Sequence, residues 1–146
     1  PIVGYGCRIA QVIAVKREKK ASRKATVAAI KERLNLKQNV VIFPEGTTHK
    51  TPQAGEFRPR MFHVAADGEF TIVPVAIAFK NPDDAWVGND TFVPHYIRCF
   101  GKKTTTVKIA IGQPLKSRDG EALRQKAHDW INQKLLQFRA EFDRAD

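Results

Sequence analysis

The stretch Asn39-Val40-Val41-Ile42-Phe43-Pro44-Glu45-Gly46-Thr47-Thr48 carries the strongest fold signal in the chain. Residues 39–43 lack the polar alternation of a half-exposed strand, so they predict a strand that is covered on both faces. Pro44 ends that strand because proline has no backbone N–H to donate to a neighbouring strand. A carboxylate, a glycine and two hydroxyl groups follow at the carboxyl end, which is where open α/β sheets bind ligands.

Strand-like and helix-like stretches alternate on both sides of this segment, which predicts an α/β fold. The other predicted strands are 12–15, 105–111 and 72–79. The last is predicted to be a second buried strand, in which Pro74 indicates an edge position or a bulge. The predicted helices are 22–34 with Ser22 as the N-cap, 61–66 closed by Gly68, a short helix through Phe100 capped by Asp90 or Thr91, and 118–145. We therefore expect a mixed, mostly parallel sheet that is flanked by helices.

Two of the predicted helices have an apolar face. In 22–34, Val27, Ile30 and Leu34 recur at three and four residues, so one face can pack on a sheet. The C-terminal helix carries a longer apolar stripe, which consists of Leu123, Ala127, Trp130, Ile131, Leu135, Phe138 and Phe142. Core packing is the default interpretation of this stripe, and contact with a membrane surface is the alternative. The strand 105–111 alternates, so we expect one of its sides to face water.

The composition is that of one folded domain with a basic surface. The chain has 146 residues, of which 42% are hydrophobic and 27% charged, as is ordinary for a globular protein. Lys and Arg number 25 against 15 Asp and Glu, which gives a net charge of +10. Such a surplus favours an anionic partner: a phospholipid surface, a phosphorylated small molecule or nucleic acid. The charge alone does not distinguish these three.

Targeting signals and cysteine pairs are absent from the sequence. Cys7 and Cys99 form no CxxC pair and no metal-ligand spacing with the histidines, so we expect a reducing, cytoplasmic compartment. The longest apolar run, 72–79, is far shorter than the ~20 residues of a membrane-spanning helix, and no signal peptide is visible. The first residue is Pro1 rather than Met, so we expect the chain to begin inside a longer protein.

The residues after Pro44 are suited to binding an anionic headgroup. Gly46 lets a ligand approach the backbone closely, and amides near it can donate to an anion. Glu45 would repel a phosphate unless a cation stood beside it. Arg17, at the end of the predicted strand 12–15, is a candidate for that cation and can bind a phosphate through two hydrogen bonds. The alternative is a turn that ends the strand and carries a solvated glutamate.

Several blocks resemble the glycerolipid acyltransferase family, the lysophosphatidic acid acyltransferase-like domains. Phe43-Pro44-Glu45-Gly46-Thr47 resembles the third conserved block of that family. The other similar stretches, in the family's order, are 1–4 (the lead into the second block), 13–18 (the second block), 72–77 (the fourth block), 85–95 and 112–115. The resemblance implies one partial acyltransferase domain over 1–146, with family-like blocks in 1–115 and an amphipathic helix in 118–145.

The resemblance also implies a reaction and a set of binding residues. In the family, the histidine of an NHxxxxD motif deprotonates an acceptor hydroxyl, which attacks the thioester of acyl-CoA or acyl-carrier protein. No cofactor or metal is implied beyond that acyl donor. The implied substrate-binding residues are Arg17, Glu45, Gly46, Thr47 and Thr48, and Val73, Pro74 and Val75 are implied to shape the acyl or acceptor pocket.

The sequence departs from the family in its histidines, because none has an aspartate five residues later. His63 and Asp67 are four residues apart, which is the wrong spacing, so we interpret them as a surface pair. The motif precedes the second block in the family. We therefore expect it upstream of Pro1, and we expect this fragment alone to be inactive.

A second departure concerns the acceptor. The third block usually continues with Arg and Ser, where this chain has Thr48 and His49. A threonine cannot make the bidentate charged contact of an arginine. Some relatives that resemble lyso-ornithine lipid acyltransferases also carry Thr-Thr. We therefore expect 1-acylglycerol-3-phosphate, the commoner family substrate, as the acceptor, with lyso-ornithine lipid as the alternative.

Three functions remain open at this point. The first is an O-acyltransferase of phospholipid synthesis at the cytoplasmic face of the inner membrane, held peripherally or through preceding segments. Its partners would be a lysolipid, the acyl donor and an anionic membrane surface. The second is a non-catalytic lipid- or anion-binding relative. The third is a nucleic-acid-binding domain, which we rank last because the basic residues are spread along the chain without a binding motif.

Overall fold

The computed structural model describes residues 5, 9, 11–13, 20–48, 51–86 and 91–144. The chain forms two compact units, Pro1–Ile42 and Phe43–Asp146. The first unit contains helix α1 (Lys20–Asn35). The second contains, in order, α2 (Arg60–Asp67), β1 (Val75–Phe79), the 3-10 helix Pro82–Asp84, α3 (Phe92–Phe100), β2 (Val107–Ile111) and α4 (Gly120–Asp143). The single acyltransferase domain over 1–146 stays a prediction.

Helix α1 confirms the prediction over 22–34 but begins earlier. Its start at Lys20 puts Ser22 inside the helix, so the predicted N-cap at Ser22 is wrong. Ile30 is buried, and Val27 and Leu34 are half-buried, as the spacing predicts. The helix ends where Lys37 adopts a left-handed backbone (φ 58°).

Neither of the strands predicted over 12–15 and 39–43 forms within the described residues. Residues 12–13 are irregular, and 14–15 of that strand lie outside the described residues. Residues 39–43 are also irregular, with Val41 82% and Phe43 75% exposed. An apolar run becomes a buried strand only if neighbouring strands satisfy its backbone groups, and no such neighbour exists among the described residues.

The sheet in the second unit has two strands, and they are antiparallel. Ile77 of β1 lies opposite Ile109 of β2. The mostly parallel sheet is therefore not found among the described residues, because the predicted strands 12–15 and 39–43 do not contribute to it. β1 begins after Pro74, whose carbonyl oxygen accepts a hydrogen bond from Gly112 N–H at 2.8 Å. Proline keeps its acceptor, so the pairing continues beyond it to a bridge between Ile72 and Leu115.

The two faces of the sheet differ in side-chain size and in cover. Ala76 is only 1% exposed and packs with Phe138 and Phe142 of α4. The opposite face presents large apolar side chains to the exterior, namely those of Val75, Ile77, Val107, Ile109 and Ile111. The one-sided exposure predicted for 105–111 is confirmed for β2, whereas the full burial predicted for 72–79 is wrong.

Helix α2 confirms the prediction over 61–66, and its end explains Gly68. Glu69 is the residue with the left-handed backbone (φ 52°), and Phe70 N–H donates to Ala65 O at 2.8 Å. These features form a Schellman motif. A Cβ on Gly68 would lie 2.2 Å from the Phe70 ring, so this position excludes a side chain.

Helix α4 is the scaffold of the second unit, as its apolar stripe predicts. Asp119 caps it by accepting from the N–H groups of Glu121 and Ala122 at 2.9 and 3.1 Å. Gly120, its first residue, is buried so closely against α2 that a Cβ would lie 2.8 Å from the Cα of His63. Four stripe residues are buried, namely Leu123, Ala127, Phe138 and Phe142. Core packing is thus confirmed for this stripe.

Two apolar clusters lie along α4. The loop-side core consists of Phe57, Phe62, Ala65, Ala66, Leu123 and Ala127. The sheet-side core consists of Ala76, Phe138 and Phe142. One helix therefore joins the loop that follows Pro44 to the sheet. Within the described ranges, no helix is long and apolar enough to cross a membrane.

Candidate functional site

The first two of the predicted binding residues 45–48 lie in the tight turn 43–46, and Thr47 and Thr48 follow it directly. Gly46 N–H donates to Phe43 O at 3.1 Å, and Gly46 has a φ of 70°. Residues other than glycine rarely adopt this left-handed conformation, so the turn requires glycine here. Glu45 and Gly46 are half-buried, and Thr47 and Thr48 are exposed. The structure thus brings a carboxylate, a backbone turn and two accessible hydroxyl groups together.

Glu45 is bonded to the loop rather than free in solvent. Its Oε2 accepts a hydrogen bond from Gly55 N–H at 2.7 Å. A carboxylate acceptor makes such a bond stronger than one between neutral groups. The bond links the two ends of 45–55. Glu45 is therefore half-buried and bonded to the loop, and its role in substrate binding stays a prediction.

Helix α4 holds the second half of this loop through three polar side chains. Asn132 Oδ1 accepts from Ala54 N–H at 2.8 Å. His128 Nε2 lies 3.2 Å from Gly55 O and donates to it in the tautomer that carries the proton on Nε2. Arg124 Nη1 donates to Phe57 O at 3.2 Å. The position of Glu45 thus depends on α4 through Gly55, a relation that the sequence pattern did not reveal.

Phe57 anchors the same loop in the loop-side core. It is only 2% exposed, stacks on Phe62 with ring centroids 6.0 Å apart and meets the His128 ring edge-on at 4.8 Å. The described residues of 45–57 form neither helix nor strand, but the last of them is a core residue. The sequence signal for this buried position is an aromatic residue inside a polar stretch.

Arg58 brings a cation to the turn, which sequence reasoning missed. Its N–H donates to Pro44 O at 3.0 Å. Its guanidinium lies over Gly46, where a Cβ would be 3.0 Å from Nε, 3.1 Å from Cζ and 3.3 Å from Nη2. The cation predicted for this place, Arg17, lies outside the described residues, so its predicted proximity to Glu45 stays a prediction.

The three predicted pocket residues do not share a face. Pro74 is buried, whereas Val73 and Val75 are 47% and 42% exposed. Pro74 lines an open depression of about 570 Å³, together with Gln113, Leu115, Lys126, Asp129, Trp130 and Gln133. The role of Val73, Pro74 and Val75 in an acyl or acceptor pocket stays a prediction.

The described histidines have structural surroundings. His63 packs on Gly120, His95 stacks on Trp86 with ring centroids 5.4 Å apart, and His128 holds the loop. His49 lies outside the described residues. Among the residues with a described position, no group of three or more His, Cys, Asp or Glu is arranged to hold a metal ion.

Helix α3, which confirms the helix predicted through Phe100, presents an apolar face. Thr91 is at its N-cap position but makes no side-chain capping bond, and Asp90 lies outside the described residues. Its exposed apolar residues are Val93, Tyr96, Ile97 and Phe100, the last being 75% exposed. Lys102 and Lys103 follow directly. Lys102 pairs with the buried Asp84, and Lys103 is exposed.

Comparisons with known proteins point to one family. The Acyltransferase family model matches residues 1–78. A lyso-ornithine lipid O-acyltransferase of Pseudomonas aeruginosa is 27% identical over 123 residues, which cover 81% of this chain and 47% of that protein. A lyso-ornithine lipid O-acyltransferase of Rhizobium meliloti is 27% identical over 153 residues, which cover 92% and 52%. This chain thus spans about half the length of the curated relatives it matches. No solved structure matches it significantly.

Proposed function

This chain belongs to the acyltransferase family, as its sequence predicts, and on that premise we propose that the protein acylates the hydroxyl of a lysolipid. The hydroxyl oxygen attacks the thioester carbonyl of acyl-CoA or acyl-carrier protein, the C–S bond breaks, and the thiol leaves with a proton. The observation that carries the proposal is the family match over 1–78, which includes the turn around Gly46.

We propose lyso-ornithine lipid as the acceptor, ahead of 1-acylglycerol-3-phosphate. Both curated relatives are named for lyso-ornithine lipid. In addition, Thr48 stands where the third block of the family usually has arginine. A threonine hydroxyl can donate one hydrogen bond to a headgroup but cannot replace a guanidinium on a phosphate.

The turn supplies binding and orientation rather than proton transfer. We propose that Gly46, Thr47 and Thr48 contact the headgroup and that Arg17 adds positive charge to it. Glu45 keeps the turn in shape through its bond with Gly55 at 2.7 Å. The general base is proposed to be a histidine of the NHxxxxD type, which lies outside these 146 residues because none of the 4 histidines here fits that motif.

The acylation proposal is tested with the full-length protein in detergent. Lyso-ornithine lipid and lysophosphatidic acid are each supplied with labelled acyl-carrier protein or labelled acyl-CoA. We expect transfer to lyso-ornithine lipid to be the faster reaction. Arg17→Ala and Glu45→Ala should abolish transfer with the fold retained, and Glu45→Gln should retain part of it because its amide oxygen still accepts from Gly55. No transfer to either acceptor from either donor would overturn the proposal.

We further propose that the protein works at the cytoplasmic face of the inner membrane, either peripherally or through an anchor, with α3 touching the lipid. The exposed apolar residues of α3 and the lysines after it are the composition of an interfacial helix. The net charge of +10 favours anionic lipid.

Vesicle sedimentation tests the membrane contact. Ile97→Asp should weaken binding to vesicles of phosphatidylglycerol and phosphatidylethanolamine about tenfold, since burying an isoleucine side chain contributes about 1.5–3 kcal/mol. Leu136→Asp, at an exposed apolar residue of α4 that is 49% exposed, is the matched control and should bind like the wild type. Equal binding by both variants would show that α3 does not touch the lipid.

A further inference from the structure

The guanidinium of Arg58 is the feature of the turn that the proposed function leaves unused. We propose that Arg58 binds the anionic group of the acceptor headgroup, a carboxylate or a phosphate, and so determines acceptor specificity. This inference rests on the proposed acyltransferase function. No residue after Thr48 was predicted from the sequence to bind this anionic group.

The orientation of the guanidinium leaves its donors available. The ideal Cβ position on Gly46 is nearly equidistant from Nε, Cζ and Nη2, at 3.0, 3.1 and 3.3 Å. A point in the plane of the group, beside its Nε–Nη2 edge, would be farther from Cζ than from the two nitrogens. The group therefore lies largely face-on over Gly46. Its N–H bonds lie in its own plane, so they do not point at the glycine.

The peptide unit between Phe57 and Arg58 is held by a hydrogen bond at each of its two polar groups. On one side, Phe57 is buried in the loop-side core and its carbonyl accepts from Arg124 at 3.2 Å. On the other side, the N–H of Arg58 itself donates to Pro44 O at 3.0 Å. The guanidinium therefore needs to order only its own side-chain torsions when it binds, which lowers the entropic cost of binding.

The charge of Arg58 is not neutralised within the part of the chain that the structure describes. There, its side chain makes no ion pair with a carboxylate, although other arginines do. Arg118 pairs with Glu69 at 2.5 Å, and Arg124 pairs with Glu121. Arg58 is exposed, so a ligand can reach it. An arginine in this condition is able to bind a carboxylate or phosphate through two parallel hydrogen bonds.

The position of Arg58 also accounts for Thr48. The family resemblance leads one to expect arginine where Thr48 stands, directly after the turn. In this chain, the far end of the loop folds back and places a guanidinium on the glycine of the same turn. The anion-binding group thus comes from a different place in the sequence, and it approaches the headgroup from a different direction.

The test measures acceptor kinetics of the full-length enzyme and its Arg58→Gln and Arg58→Lys variants. Because a hydrogen bond to a charged group is worth roughly ten- to a hundredfold in affinity, Arg58→Gln should raise the acceptor KM by about that factor. The kcat and the KM of the acyl donor should stay within about twofold. Arg58→Lys should recover part of the loss, since it restores the charge but not the bidentate geometry.

Arg60→Gln is the matched control, because Arg60 is also exposed and lies two residues away; its acceptor KM should equal that of the wild type. Lyso-ornithine lipid and lysophosphatidic acid are measured in parallel to identify the anionic group that Arg58 binds. The KM should rise for the acceptor that carries this group. An unchanged acceptor KM in Arg58→Gln, or a rise confined to the acyl donor, overturns the role of Arg58. A wild type that acylates neither acceptor overturns the proposed function instead.

Discussion

The two halves of helix α4 act on their neighbours by different means. The N-terminal half uses the polar groups of Arg124, His128 and Asn132 to hold the loop over 54–57. The C-terminal half uses the apolar rings of Phe138 and Phe142 to cover the sheet at Ala76. Hydrogen bonds fix the orientation of the groups they join but contribute little net free energy of folding. Apolar burial contributes more free energy and is not directional. Substitutions of these polar residues in the first half should therefore change ligand binding, and substitutions of the two rings in the second half should change stability.

The largest expected effect is that of Phe142→Ala in the C-terminal half. Phe142 is 3% exposed, and Lys108 Nζ lies 4.7 Å from the centre of its ring. Removing the ring should lower the free energy of unfolding by about 3–5 kcal/mol, measured by urea denaturation. The acceptor KM of the protein that remains folded should not change. A loss below about 1 kcal/mol would show that the sheet does not depend on this half.

Ala76→Leu should destabilise the protein for the opposite reason. Ala76 is 1% exposed, so a larger side chain has to push α4 away from the sheet. Overpacking of this kind costs about 1–3 kcal/mol, again read from urea denaturation. Ile109→Thr on the uncovered face, where Ile109 is 61% exposed, is the control and should stay within about 0.5 kcal/mol of the wild type. Similar losses in both variants would contradict the difference between the two faces.

Asn132→Ala tests the N-terminal half, where the stability effect is smaller and the binding effect larger. The lost bond to Ala54 N–H should cost about 0.5–1.5 kcal/mol. Because the loop carries Gly55, the partner of Glu45, the acceptor KM should also rise several-fold with little change in kcat.

Asn132→Asp keeps the acceptor oxygen and should restore the KM, while Gln125→Ala at another exposed position of α4 should leave it unchanged. If Asn132→Ala lowered stability without any change in the KM, α4 would not be positioning the loop.

The smallest expected effect is on the pH dependence of stability. It arises from the contact between Glu141 at the end of α4 and Lys108 of β2. A hydrogen bond from Lys108 at 2.6 Å, and then one from Gln137, hold the pKa of Glu141 below its ordinary value of 4.5. A lowered pKa in the folded state stabilises the protein fully above the unfolded value, and this contribution is lost as the pH falls through the folded value. Thermal unfolding below about pH 4.5 should therefore be less acid-sensitive in Glu141→Gln. Identical acid sensitivity in both proteins would mean that the Lys108 contact contributes nothing.

The helices could be predicted from the sequence, because their apolar residues recur with the period of a helix. Leu123, Phe138 and Phe142 lie where that period places them. The prediction of a strand over 39–43 is wrong because an apolar run indicates only that a segment is suited to burial. It does not state which strands pair with it, and without such partners Val41 remains 82% exposed.

The candidate site could be predicted only in part. The turn around Gly46 was visible because its residue types are unusual at the end of a predicted strand. The roles of Asn132 and Arg58 were not visible, because both depend on how the loop over 45–57 folds back. Asn132 is distant in sequence from this loop. Arg58 lies over Gly46 because its backbone N–H bonds to Pro44 O, and no residue pattern predicts that bond.

The contact between Gly120 and His63 reverses the usual ranking of residues in a helix. Propensity scales favour alanine over glycine by about 1 kcal/mol, so Gly120 is an obvious target for stabilising design. A Cβ there would lie 2.8 Å from the Cα of His63 and 2.9 Å from its backbone nitrogen, which no side-chain rotation can relieve. Replacing this glycine would force α2 and α4 apart at the loop-side core. A designer who follows the propensity table at this position would weaken the protein.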